Sequence, residues 1–179
     1  STNPTIGPVF ILSPSVTSYG TVILSPLGGS NIALPNTANV LIYGDLICRG
    51  QTWESWLAMS WNGAYGAIVP KTVSVRGNLL IQGGSFIFAF NGATAQNIIV
   101  DGDVIVNPGA GYDVYSTTNS NMSIGGSLIN NSDNSGPAIY GNFAGSNVRL
   151  VRAAGPAGVA NITFFGTNNG SITNNPAIS

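Results

Sequence analysis

Five segments of this chain superimpose on one central glycine: VTSYGTVIL from Val16, VLIYGDLIC from Val40, VSVRGNLLI from Val73, IIVDGDVIV from Ile98 and MSIGGSLIN from Met122. The glycines are Gly20, Gly44, Gly77, Gly102 and Gly126, spaced 24, 33, 25 and 24 residues apart. A fixed period of roughly 20–50 residues marks a solenoid, in which each repeat buries its apolar face only against its neighbours. A degenerate sixth copy is expected from Val148 (VRLVR), and Ile172 is a candidate start for a seventh.

Within each copy apolar and polar residues alternate with the two-residue period of a strand. Four residues before the glycine stand Val16, Val40, Val73, Ile98, Met122 and, in the sixth copy, Val148. Two residues after it stand Val22, Leu46, Leu79, Val104 and Leu128. Stacking the copies turns each column into an inward ladder with a rise of about 4.8 Å per coil. Glycine inside a strand marks a bend, which a coil needs at its corners. Polar residues precede the copies: Asn39, Thr72, Asn97, Asn121 and Asn147. Stacked asparagines hydrogen-bond along such an axis. A second apolar strand is expected between copies, at SFIFAF from Ser85, YDVYS from Tyr112, PAIYGNF from Pro137 and NITFFG from Asn161.

This pattern resembles the parallel β-helix family of solenoids over roughly residues 16–172. The expected fold is all-β, a parallel β-solenoid of about six coils; right-handed winding is what the resemblance implies. Residues 1–15 form an N-terminal strand, cap or donor strand, and 16–179 the solenoid, with an aromatic insertion at 51–71. The alternative is a β-sandwich or jelly roll with a donated N-terminal strand, which also presents short, evenly spaced strands.

Composition then narrows the function. Five basic and six acidic residues leave a net charge of −1, and only 6% of residues are charged against about 25% in ordinary domains. Such a chain has no electrostatic footprint for nucleic acid. Lacking histidine, it has no imidazole base or imidazole metal ligand. At 44% hydrophobic residues it is not compositionally disordered, and no apolar run is long enough to span a membrane as a helix. The start at Ser1 reads as a processed, mature chain, and the single Cys48 excludes an intramolecular disulfide.

Candidate chemistry is sparse. The acids are Asp45, Glu54, Asp101, Asp103, Asp113 and Asp133. Asp101 and Asp103 share a strand face as a candidate carboxylate pair for glycoside chemistry, but Arg76 precedes Asp101 in its column and a cross-strand ion pair accounts for both. Cys48 shares a column with Leu24, Ile81 and Val106, the place of an inert buried thiol. No catalytic residue, metal site or cofactor is expected. Trp53, Trp56, Trp61 and Tyr65 in the insertion are candidate ligand or interface aromatics, with a lid or one or two helical turns as the local structure. Among the sequons, Asn130, Asn161 and Asn169 are candidate glycan acceptors.

A further column, Ile23, Ile47, Leu80, Ile105 and Ile129, points outward under strict alternation. An aliphatic stripe of that length marks an assembly surface. The N-terminal Val9, Phe10, Ile11 and Leu12 read as a strand that either caps its own solenoid or is donated to a neighbour. The expected function is therefore a structural subunit of a secreted extracellular or cell-surface filament, whose partner is itself. In flavour it resembles secreted β-rich filament subunits of archaea and bacteria that use N-terminal donor strands. The competing readings are an adhesin or tail-spike-like module binding glycans through the aromatic loop, and a polysaccharide-degrading enzyme.

Overall fold

The computed structural model describes residues 9–36, 39–52, 55–61, 67–90, 94–113, 120–132, 148–149 and 160–174. Their strands come in triplets. The first is β1 (Val9–Ile11), β2 (Ser18–Tyr19) and β3 (Val22–Leu24); the second is β4 (Asn31–Ala33), β5 (Val40–Ile42) and β6 (Leu46–Arg49). The third is β7 (Trp56–Trp61), β8 (Lys71–Val75) and β9 (Leu79–Gly83); the fourth is β10 (Ser85–Phe90), β11 (Gln96–Val100) and β12 (Val104–Val106). The fifth is β13 (Gly111–Asp113), β14 (Ser120–Ile124) and β15 (Leu128–Asn130); the last is β16 (Val148–Arg149), β17 (Ala160–Phe164) and β18 (Ile172–Asn174).

Equivalent strands of successive triplets pair in parallel and build three sheets, running β1 to β16, β2 to β17 and β3 to β18. The chain is an all-β parallel β-solenoid. Parallel pairing throughout the described residues rules out the sandwich alternative, whose sheets are antiparallel. About four coils are complete, fewer than the six expected. The difference arises at the ends, where the strands of the terminal triplets have a neighbour on one side only.

The glycine-centred alignment gives the register of the regular coils. Val40, Val73, Ile98 and Met122 stack in the second sheet, followed by Ile162. Val22, Leu46, Leu79, Val104, Leu128 and Ile172 stack in the third. These columns point inward and, apart from the half-buried Ile162 and the exposed Ile172 in the last coil, make one continuous buried core with Cys48, Phe86, Phe88 and Tyr112. Phe86 stacks on Tyr112 at 6.1 Å, and Phe88 meets Tyr112 edge-on at 5.9 Å.

Four expectations are corrected. Val148 belongs to the first sheet, beside Tyr112, and does not begin a sixth copy. The coil that follows Met122 in the second sheet is NITFFG, paired from Ala160 to Phe164, so that segment is not a between-copy strand. Its third-sheet strand is Ile172–Asn174, the start considered for a seventh copy. In the first triplet Ser18 pairs with Leu41, one residue out of step with the glycine alignment, and Val16 is exposed rather than inward. PAIYGNF lies outside the described residues.

The described centre of the aromatic insertion is also not a lid or a helical turn. Trp56–Trp61 is a fully buried strand between β4 and β10. Asparagines of the preceding coil pin both its ends: Trp56 N–H donates to Asn31 Oδ1 at 3.0 Å, and Asn36 bonds both the N–H and the carbonyl of Trp61. Turns into the first sheet use left-handed glycines, Gly84 at φ 70° and Gly109 at φ 74°, a conformation that L side chains resist.

Candidate assembly surface

The corner between the second and third sheets explains the glycine column. The residue after each glycine turns its side chain along the axis and accepts the backbone N–H of its counterpart one coil on. Asp45 Oδ1 accepts from Asn78 N–H at 2.7 Å, Asn78 Oδ1 from Asp103 N–H at 2.8 Å, and Asp103 Oδ1 from Ser127 N–H at 2.7 Å; Ser127 Oγ accepts from Ser171 N–H at 3.3 Å. A return bond accompanies each: Leu46, Leu79, Val104 and Leu128 N–H donate to the carbonyls of Asn78, Asp103, Ser127 and Ser171, all at 2.9 Å. The accepting oxygen occupies the space where the next coil's glycine would carry a Cβ, so a methyl at Gly77, Gly102 or Gly126 overlaps Asp45, Asn78 or Asp103 respectively. Close approach along the axis, rather than a special φ, demands glycine here.

A second polar ladder runs along the outside of the second sheet. Thr72 N–H donates to Asn39 Oδ1, Asn121 Nδ2 to Asn97 Oδ1 at 2.7 Å, and Asn161 Nδ2 to Asn121 Oδ1 at 3.2 Å. The expected asparagine ladder is therefore present, but Asn161 is its last described rung; Asn147 lies outside the described residues.

The aliphatic column of the third sheet stacks in register, Ile23 on Ile47, Leu80, Ile105, Ile129 and finally Thr173. Ile23 at its open end is 51% exposed, Ile47 is nearly covered at 9%, and Leu80, Ile105 and Ile129 are half-buried. The N-terminal strand pairs within its own chain, β1 lying parallel on β4. Phe10 is exposed, whereas Val9, Ile11 and Leu12 are half-buried, with Val9 and Ile11 against Ala33, Trp56, Ala58, Trp61 and Ile87.

Exposed apolar side chains gather at the ends of the solenoid. Of the eight large exposed hydrophobics among the described residues, Phe10, Val16, Ile23 and Leu27 sit at the N-terminal end and Phe165 and Ile172 at the C-terminal end. The six strands at those ends are the edges of all three sheets.

The other candidate residues fall elsewhere. Trp56 and Trp61 are buried, with ring centroids 6.1 Å apart, so neither presents a face to a sugar; Trp53 and Tyr65 lie outside the described residues. Asn130 is buried, its Oδ1 accepting from both the N–H and hydroxyl of Ser132, which leaves a glycan no room in the folded chain. Asn161 is exposed but spends its Nδ2 in the ladder, and Asn169 is exposed. Cys48 is fully buried and burial pushes its thiol pKa up.

The two acids do not act as a pair. Asp101 meets Arg76 at 2.9 Å on the surface, and Asp103 holds Ser127 in the corner ladder. Arg76→Ala is expected to change stability by less than ~1 kcal/mol, and Asp103→Ala to lower it by ~1–2 kcal/mol through the stranded Ser127 N–H. Urea unfolding of the two variants checks that order. Among the described residues no three of His, Cys, Asp and Glu are grouped to hold a metal ion, and no helix is long and apolar enough to cross a membrane.

Sequence reasoning missed one group altogether. Lys71 opens β8 with its side chain inside, in line with the buried Gln96 and Ser120. Its Nζ donates to the carbonyls of Pro35 and Met59. Burial lowers its pKa from 10.5 to about 7. Only its column partners, Gln96 and Ser120, both polar in a row of apolar columns, signalled an inward position. Comparison with protein-family models, curated proteins and solved structures gives no match.

Proposed function

We propose that this chain is the structural subunit of a secreted extracellular filament or surface assembly, polymerising head to tail by strand addition at the ends of the solenoid. The observation that carries the reading is the concentration of exposed apolar side chains on the two ends, where all three sheets finish in edge strands. Unpaired parallel edges template further strands, and soluble proteins ordinarily blunt them with charge or proline. The described edge strands β2, β3, β17 and β18 carry neither. Contacts between unlike ends do not close on themselves, so they propagate as a fibre.

Electron microscopy of the protein in dilute buffer and at acid pH tests this. Regular filaments in both are expected, because so few groups titrate; dispersed monomers or closed trimers in both overturn it. A glycan on exposed Asn169 belongs to the same reading. Intact mass of native material above the bare 18.3 kDa polypeptide is the expected result, and a mass equal to it removes that modification.

A further inference from the structure

Gly20 stands first in the glycine column, yet nothing among the described residues requires glycine there. A Cβ built on Gly20 meets no atom within 4 Å, and its φ is not left-handed. Gly44, Gly77, Gly102, Gly126 and Gly170 each lie against the coil before them, so that a methyl overlaps its backbone or ladder side chain. Among the described residues no coil lies before Gly20.

We infer that a second copy of this chain supplies that coil, and that the joint continues the internal register without a break. The inference rests on the head-to-tail reading above and specifies its geometry. Ile172, Thr173 and Asn174 of one copy then pair in parallel with Val22, Ile23 and Leu24 of the next, as Leu128, Ile129 and Asn130 pair with Ile172, Thr173 and Asn174 inside the chain. Phe164 likewise stacks with Tyr19, the ends of the column through Ile42, Val75, Val100 and Ile124.

The hydrogen-bond polarity of the two ends matches. From Asp45 to Ser171 each corner link has one side-chain acceptor facing forward and one main-chain N–H returning a bond. Ser171 ends the series: its hydroxyl donates back to Ser127 Oγ at 3.2 Å, which leaves the oxygen able to accept, and Ile172 N–H holds the place that Leu128 N–H holds one coil earlier. Thr21 begins it, and its N–H and carbonyl face the opposite end. Joining the ends lets Thr21 N–H donate to Ser171 Oγ and Ile172 N–H donate to the Thr21 carbonyl, the same two bonds that join Ser127 and Leu128 to Ser171. Gly20 then lies over the Gly170–Ser171 corner, and its missing side chain has a cause.

Two variants test the joint. Gly20→Val keeps the isolated subunit folded, because its space is open, and should raise the critical concentration for filament growth by about tenfold or more. Its thermal unfolding as a monomer serves as the folding control. Ile23→Cys with Thr173→Cys places thiols on directly opposed positions of neighbouring copies, where parallel strands lie about 4.8 Å apart. Within one copy those positions end a six-stranded sheet and lie about 24 Å apart, so no internal disulfide forms. Oxidised filaments should run as a ladder of covalent multimers in denaturing gels, with each single variant running as monomer because its thiol has no partner across the joint. Wild-type filaments that grow equally well from Gly20→Val and give no ladder overturn the joint while leaving the filament reading intact. Absence of wild-type filaments under all conditions overturns both.

Discussion

Gly77→Ala is expected to destabilise the subunit by about 3 kcal/mol, near the upper end for overpacked interiors. The new methyl overlaps Asp45 Oδ1 and lies 2.8 Å from the carbonyl carbon and oxygen of Gly44, backbone atoms held by the stacked coils. Relief by moving Asp45 aside breaks its bond to Asn78 N–H, and relief by moving the coils apart loosens the flanking inward columns. The helpful effect of alanine on the unfolded chain, roughly 0.4–1 kcal/mol, is too small to offset this. Urea denaturation measures the loss. Adding Asp45→Ala separates the two sources of clash, because it removes the carboxylate but leaves the Gly44 backbone in place. The double variant should therefore be less destabilised than the sum of the singles, with a coupling of about 1 kcal/mol. Strict additivity would show that the ladder oxygen does not set the glycine requirement.

The columns around these glycines were legible because one physical rule acts on every coil. Inward positions recur every second residue, and the post-glycine residue must be short and able to accept: Thr21, Asp45, Asn78, Asp103 and Ser127 all qualify. Where the rule is diluted, so is the signal. Buried on both faces, β7 loses the alternation that identifies a strand, and WLAMSW reads as a helical turn or a lid. The last coil hid behind residues 167–169, inserted between Gly166, which lies against Gly125, and Gly170, which lies against Gly126. Its sequence NGSITN nevertheless repeats GGSLIN from the coil before, and Asn161 carries the outer ladder into it. The outward aliphatic column was legible from the alternation, but the distinction of Gly20 was not: in the sequence it looks like every other member of its column, and only the fold leaves its Cβ position open.

Lys71 predicts a stability that rises with pH above neutrality, in a chain otherwise poor in titratable groups. Its folded pKa is depressed to about 7 by burial, against 10.5 when exposed. Between those values the unfolded chain holds a proton that the folded one does not, so stability increases with pH there. Below about 7 Lys71 is protonated in both states and its contribution to the pH dependence vanishes. Unfolding free energy should gain roughly 2 kcal/mol between pH 7 and 9. Above 9.0 the trend is opposed, because burial raises the Cys48 thiol pKa and the unfolded chain then loses a proton that the folded one retains. Lys71→Met removes the charge while keeping most of the buried length, at the expense of a donor to the carbonyls of Pro35 and Met59. Its urea unfolding should be flat from pH 7 to 9, whatever its absolute stability. A wild-type profile equally flat over that window would show that the ammonium reaches solvent and that Lys71 is not an interior residue.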